Sequence, residues 1–208
     1  MNNYYQDIIT QKSWNRLMEL QKEVDFILIG GWAVYLWTHA LKSKDIDIVI
    51  NYESLAKLKS SYPMYKNDRL KKYEIKKGGI DIDIYVPFYS VFPIPVHELP
   101  LYAVTQDRFT VLQKEALLVL KINAYEEIKL SIKGQKDKID LLSLLMQPDF
   151  DIAFFQRILT KYQLNHYSAH INRMIKETTH VKELDVNQHK FARIKKHLLQ
   201  NLLVSEHH

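Results

Sequence analysis

Two aspartates, Asp45 and Asp47, stand one residue apart in the otherwise apolar segment DIDIVI (45–50). On a β-strand, residues two apart point to the same face and lie about 6.5 Å apart along the chain. Two carboxylates at that spacing repel each other unless positive charge lies close by. The pair can therefore bind one hard cation, or bracket two.

A second alternating segment, IDIDIYV (80–86), carries the candidate for a third carboxylate, Asp83. Its isoleucines point to one face, and its aspartates and Tyr85 point to the other. If this strand lies beside segment 45–50, Asp83 converges with Asp45 and Asp47. Asp81 shares the face of Asp83, so the residues alone leave the choice between them open. Oxygen ligands without a nearby histidine favour Mg²⁺, with Mn²⁺ as the alternative, over zinc.

Gly30 and Gly31 lie between the apolar run DFILI (25–29) and a helical segment, residues 32–40. At the start of a helix, free backbone N–H groups and the helix dipole attract phosphate, and glycine has no Cβ to obstruct it. A glycine pair alone is typical of a turn, and alternating aspartates are typical of a solvated strand. Their combined order favours a site for a metal-bound nucleoside triphosphate.

The elements that must position these residues follow from hydrophobic periodicity. Up to residue 112, helix and strand patterns alternate, with a lysine-rich and exposed stretch at 66–79. The predicted helices are 12–23, 32–40 and 52–60, and the predicted strands are 25–29, 45–50, 80–86, 101–104 and 108–111.

From residue 113 onward the sequence reads as helical. We therefore predict an α/β (α+β) fold, with a small mixed β-sheet core flanked by helices over residues 1–112. A C-terminal helical region follows over residues 113–208. Its predicted helices are 113–128, 135–147, 150–162, 166–178 and 188–203.

Composition excludes several protein classes. The chain has no cysteine, which rules out disulfides and thiolate metal sites. The first twelve residues lack the features of a secretory signal, and the apolar run 27–37 is too short to span a bilayer. We therefore expect a cytoplasmic protein with no membrane association. The net charge of +5 is compatible with a polyphosphate or nucleic-acid partner.

The order IGG (29–31), thirteen residues, DID (45–47) and later DIDIYVP (81–87) resembles the nucleotidyltransferase superfamily. That superfamily includes DNA polymerase β and the antibiotic and tRNA nucleotidyltransferases. Its signature is hG[G/S], a spacer, DhD and a third carboxylate on a later strand, and it favours Asp83 over Asp81 as that third carboxylate. Gly31 stands where many relatives have serine.

The resemblance implies that the core is a nucleotidyltransferase core, which moves a nucleoside monophosphate from an NTP to an acceptor hydroxyl and releases pyrophosphate. It implies that Asp45 and Asp47 hold two Mg²⁺ ions bridging the triphosphate. Asp83 would complete the acceptor-side ion and help to deprotonate the hydroxyl. Gly30 and Gly31 would bind the triphosphate, as would the neighbouring Ser43 and Lys44.

The segment 117–145 resembles a helical part of the AbiEii-type prokaryotic nucleotidyltransferases, which carry a lysine on one helix and a KDxxDL pattern on the next. The matching residues are Lys121, Lys136, Asp137, Asp140 and Leu141. Lys121 and Lys136 are candidate phosphate contacts, because the leaving pyrophosphate develops negative charge. The alternative is that each lysine lies on the solvated face of its helix. Asp137 and Asp140 would support the site structurally.

The acceptor is left open by the sequence: it could be tRNA, a protein side-chain hydroxyl or a small molecule such as an aminoglycoside. The AbiEii resemblance implies a toxin-like role with an antitoxin as partner. The alternative is a non-catalytic nucleotide-binding or protein-interaction module of the same fold. The intact set of Asp45, Asp47 and Asp83 favours the enzyme.

Overall fold

The computed structural model describes residues 2–128, 132–179, 181–184 and 186–203, with side chains for most of them. The chain divides into two compact units, Met1–Gln113 and Lys114–His208.

The first unit combines helices with a β-sheet. A 3₁₀ helix, Val96–Tyr102, lies in the proline-containing segment between its fifth and sixth strands. The other elements are α1 (Asn2–Glu23), β1 (Ile27–Ile29), α2 (Gly30–Thr38), β2 (Ile46–Val49), α3 (Tyr52–Ser61), β3 (Tyr65–Asn67), β4 (Lys72–Lys77), β5 (Ile80–Tyr85), β6 (Ala103–Gln106) and β7 (Phe109–Leu112).

The seven strands form one mixed sheet in the order β3-β4-β5-β2-β1-β7-β6. β2 pairs with β5 in parallel, and β1 pairs with β7 in parallel. The remaining neighbours are antiparallel. The predicted fold class, a mixed sheet with flanking helices, is confirmed.

Burial of one face fixes how β2 and β5 align. Ile46 and Ile48 on β2, and Ile82 and Ile84 on β5, are at most 1% exposed. A slip of one residue would bring the intervening aspartates into the core, so this register is strongly specified. The aspartate face of both strands is only half-buried.

The prediction of an exposed stretch at 66–79 was wrong for its central part. These residues complete a hairpin of β3 and β4, and residues 73–77 of β4 pair with β5. Tyr73 and Ile75 alternate on β4 and are buried, 9% and 1% exposed. Their period of two is a strand signal, but the surrounding lysines obscure it.

Helix α1 is joined to α2 through a buried hydrogen bond. The indole Nε1 of Trp32 donates to the Oγ of Ser13 at 2.9 Å, and both residues are almost fully buried. Trp14 packs against the same indole, with ring centroids 5.0 Å apart. These contacts hold the N-terminal end of α2 against α1.

The second unit is helical in the residues described. Helix α4 packs against α5, α6 and α7, and α7 packs against α8. Residues 116–119 of α4 are completely buried on all sides, which is typical of a central helix. The elements are α4 (Lys114–Ile128), α5 (Ile132–Leu145), α6 (Ile152–Lys161), α7 (His166–Glu177), a 3₁₀ turn (Lys182–Leu184) and α8 (Gln188–Leu203).

No helix within the described ranges is both long and apolar enough to cross a bilayer.

Candidate functional site

Asp47 and Asp83 face each other across two parallel strands. The register of β2 and β5 pairs Asp47 directly with Asp83. Because both residues share the half-buried face, their side chains leave the sheet side by side. Asp81 instead pairs with Lys76 of β4. Of the two candidates for the third carboxylate, Asp83 is therefore the one opposite Asp47.

Asp45 lies directly before β2, half-buried, at the same end of the strand as Asp47. The negative charge of Asp45 acts on the carboxyl group of Asp83. Burial is the main cause that raises the pKa of Asp83, and repulsion from Glu74 and Asp45 adds to it. The parallel pairing of β2 and β5 thus brings all three predicted carboxylates into one electrostatic neighbourhood.

The carboxylate of Asp47 lies against the backbone of Gly30, the first residue of α2. A Cβ on Gly30 would lie 2.0 Å from the Asp47 Oδ2 and 2.6 Å from its Cγ. Gly30 also has a φ of +66°, which side chains with a Cβ rarely adopt. Glycine is therefore required here on two grounds. The absence of a Cβ on Gly30 leaves space for the Asp47 carboxylate at the positive end of the α2 dipole.

The other predicted phosphate contacts here are neighbours in sequence: Gly31 follows Gly30, and Ser43 and Lys44 come directly before Asp45. Gly31 is buried within the first turn of α2. Ser43 is buried, 4% exposed, whereas Lys44, next to Asp45, is exposed. Lys44 is the one of these three whose side chain is open to solvent, where it can meet a phosphate.

Lys72 is a site residue that sequence reasoning missed. Its Nζ lies 2.6 Å from the Asp83 Oδ2 and 3.2 Å from the Glu74 Oε1, and its side chain is only 13% exposed. Glu74 is the register partner of Asp83 on β4. The available signal was the alternation of Tyr73 and Ile75, which puts Lys72 and Glu74 together on the opposite face.

The ion pairs set the charge states of this group. Burial would lower the pKa of Lys72, but bonding to Asp83 and Glu74 raises it overall. For Glu74, burial is opposed by hydrogen bonds from Asn67 and Lys72, which together lower its pKa. Lys72 is thus a firmly protonated cation between two carboxylates.

A divalent cation at this place would need oxygen ligands from several side chains. Asp45 and Asp47 supply oxygens only, which fits one ion of the Mg²⁺ type. Over the part of the chain that the structure describes, no three His, Cys, Asp or Glu side chains converge closely enough to hold a metal ion. Asp83 is bound instead to Lys72. The described side chains therefore form no three-carboxylate cage, and a cation held by Asp45 and Asp47 stays a prediction.

Within the second unit, Lys121 is enclosed by two carboxylates. Its Nζ lies 2.9 Å from the Asp137 Oδ1 and 2.7 Å from the Asp140 Oδ2, and all three residues are buried. Burial would lower the pKa of Lys121, but Asp140 and Asp137 outweigh it and raise it. In the structure the two aspartates hold this cation from α5. Lys136 lies half-buried on α5.

No protein-family model and no curated protein sequence matches this chain. Several solved structures are similar in fold, and three of them are described here. A protein of H. pylori assigned as a nucleotidyltransferase has a TM-score of 0.52 at 15% identity, over 98% of this chain and 99% of that one. JHP933 from Helicobacter pylori has a TM-score of 0.50 at 14% identity, over 97% and 95%. ANT(2″)-Ia, in complex with adenylyl-2″-tobramycin, has a TM-score of 0.51 at 10% identity, over 76% and 97%.

The chain has the nucleotidyltransferase fold. At these identities the likeness concerns the fold, and the roles of individual residues rest on the geometry given above. The narrower resemblance to AbiEii-type nucleotidyltransferases stays a prediction, as does a phosphate-binding role for Lys121 and Lys136.

Proposed function

We propose that this protein is a nucleotidyltransferase that moves a nucleoside monophosphate from an NTP to an acceptor hydroxyl and releases pyrophosphate. The observation that carries the proposal is the pairing of Asp47 with Asp83 across parallel strands, with Asp47 packed on Gly30. A strand, a glycine at a helix start and two facing carboxylates are the parts that the sequence signature requires, and here they are adjacent.

Asp45 and Asp47 would hold the Mg²⁺ of the NTP, with Mn²⁺ as a substitute. When bound, the cation neutralises charge on the triphosphate and on the pyrophosphate that leaves. The first turn of α2, at Gly30 and Gly31, offers backbone N–H groups to the phosphates. The exposed Lys44 adds a positive charge beside them.

Asp83 is the proton acceptor in this proposal. The acceptor oxygen forms a bond to the α-phosphorus, and the bond from that phosphorus to the bridging oxygen of the β-phosphate breaks. Pyrophosphate leaves with that electron pair, and the hydroxyl proton passes to the Asp83 carboxylate. Burial raises the pKa of Asp83, which makes it a stronger base than a solvated aspartate.

The acceptor is proposed only as a class, a hydroxyl on RNA, protein or a small molecule. The fold neighbour ANT(2″)-Ia was solved with adenylyl-2″-tobramycin, which makes aminoglycosides one acceptor to test. tRNA and a protein side-chain hydroxyl are the other acceptors to test, and the AbiEii resemblance adds an antitoxin as a partner. We place this reaction in the cytoplasm.

The test is transfer of label from each α-³²P-labelled NTP, with Mg²⁺, to bulk tRNA, lysate protein and tobramycin. We expect label on one acceptor class. The variants Asp45→Asn and Asp47→Asn should lose about a thousandfold in rate, since a bound cation contributes several kcal/mol to such transfers. Asp25→Asn, an exposed aspartate of the same unit, is the matched control and should stay active.

Two results would count against the proposal. Tight NTP binding without transfer to any acceptor would support the non-catalytic module instead. Labelling that survives Asp45→Asn and Asp47→Asn would show that the site lies elsewhere.

A further inference from the structure

Three carboxylates form a row across the sheet. Glu74 on β4 pairs with Asp83 on β5, which pairs with Asp47 on β2. Neighbouring strands are about 4.8 Å apart, and like charges directly opposite each other destabilise a sheet. Such a row therefore needs positive charge along its length.

Lys72 supplies that charge at one end of the row. Its ammonium bonds both Asp83 and Glu74, at 2.6 and 3.2 Å. The three side chains are 13%, 17% and 15% exposed. Asn67 fixes Glu74 further, because its Nδ2 donates to the Glu74 Oε1 at 3.0 Å. The ammonium is thus built into the sheet rather than resting on its surface.

A second divalent cation shared by Asp47 and Asp83 would have to approach the carboxylate that Lys72 already bonds. Charge-assisted hydrogen bonds of this length are strong. A divalent ion on the same carboxylate would also be repelled by an ammonium a few ångströms away, in a half-buried place where water screens poorly. Lys72 and a second ion therefore compete for one position.

We propose that Lys72 replaces the acceptor-side metal ion, so that the protein binds a single divalent cation, on Asp45 and Asp47. This inference rests on the function proposed above and narrows it. Lys72 is a positioning residue: it keeps one Asp83 oxygen fixed and leaves the other for the acceptor hydroxyl. The positive charge beside the acceptor is then permanent and does not depend on metal concentration.

The test counts metal ions directly. The full chain is saturated with Mn²⁺ and a non-hydrolysable NTP analogue, and bound Mn²⁺ is measured by electron paramagnetic resonance and calorimetry. We expect one Mn²⁺ per chain in the wild type. The count should stay at one in Asp83→Asn, because Asp83 is not a ligand, and it should fall to zero in Asp47→Asn.

Removal of the ammonium should open the second position. In Lys72→Met, which removes the ammonium and keeps an unbranched side chain one atom shorter, we expect a second Mn²⁺ to bind. Lys76→Met is the matched control: Lys76 is on the same strand and 59% exposed, and its Nζ lies 3.9 Å from the Glu74 Oε2, whereas the Lys72 Nζ bonds Asp83 at 2.6 Å. Its count should remain at one.

Two Mn²⁺ in the wild type, falling to one in Asp83→Asn, would overturn the inference while leaving the proposed function intact. A single Mn²⁺ in a folded Lys72→Met would also overturn it, since Lys72 would not be what excludes the second ion. If Lys72→Met does not fold by circular dichroism, the wild type and Asp83→Asn still decide. No binding of Mn²⁺ and nucleotide to any variant would overturn the proposed function itself.

Discussion

The Asp47 carboxylate occupies the space that a side chain on Gly30 would need. The Oδ2 of Asp47 lies 2.0 Å from the position of a Cβ on Gly30. The two halves of the sequence motif, the glycine before the helix and the aspartate on the next strand, are therefore one packing unit. A larger side chain at position 30 would therefore displace the Asp47 carboxylate.

Gly30→Ala should be both unstable and inactive. The added methyl meets a carboxylate, and the existing φ of Gly30 is strained for alanine. We therefore expect a loss of more than about 3 kcal/mol in the free energy of unfolding. Urea denaturation measures this. Gly78→Ala is the matched control, because its φ is +64° with no atom within 4 Å of the new Cβ. It should lose only about 1 kcal/mol. Equal losses in the two variants would exclude the clash with Asp47.

The register of β2 and β5 predicts different outcomes for the two aspartates of β5. Asp83→Asn should lower the transfer rate about a hundredfold or more, since it removes the proton acceptor. Asp81→Asn changes a residue that faces Lys76 and should leave the rate within about twofold. Initial rates under saturating NTP measure both. The reverse order of effects would assign the third carboxylate to Asp81.

Lys121→Met should destabilise the second unit. It leaves Asp137 and Asp140 buried without a cation, and breaking a buried pair in this way costs about 3–5 kcal/mol. The triple variant with Asp137→Asn and Asp140→Asn removes the stranded charge and should recover part of the loss. Thermal and urea unfolding report on it. If the triple variant is no more stable than Lys121→Met, the loss is not electrostatic.

The same variant should respond to pH in a defined direction. Burial raises the pKa of Asp140 even with Lys121 present, and without Lys121 the pKa should rise further. A carboxyl group with a raised folded-state pKa binds its proton more readily in the folded state. Lys121→Met should therefore gain stability as the pH falls from 7 towards 5. Urea unfolding curves between pH 7 and pH 5 measure this change. A stability of Lys121→Met that falls in parallel with that of the wild type would contradict the prediction.

Ser13→Ala should lower the free energy of unfolding, because it removes the hydrogen bond that joins α1 to α2. The Trp32 indole N–H would remain buried without its acceptor, which costs about 1–3 kcal/mol. Ser60→Ala, an exposed helix position whose hydroxyl bonds only its own helix, should change stability by less than about 0.5 kcal/mol. Chemical denaturation compares the two, and similar losses would show that the buried bond contributes nothing particular.

Hydrophobic periodicity was enough to place most elements. The predicted helices and strands correspond to α1–α8, β1, β2 and β5–β7, with ends that differ by a few residues in most cases. α1 is the exception, since it begins at Asn2 rather than at residue 12. Its first turns are rich in polar residues and tyrosine, so they carry no clear apolar stripe. β4 was hidden because lysines surround its two buried residues, and β3 was hidden because it has no buried residue.

The sequence by itself determined the local chemistry: two aspartates on one strand face, glycines before a helix and an alternating second strand. These are consequences of spacing along one element. Only the tertiary structure decided that β5 lies parallel to β2 with Asp83 opposite Asp47. It also decided that Lys72 reaches Asp83 from β4. Strand order and register depend on how distant segments bury their apolar faces together, and short-range spacing does not encode that.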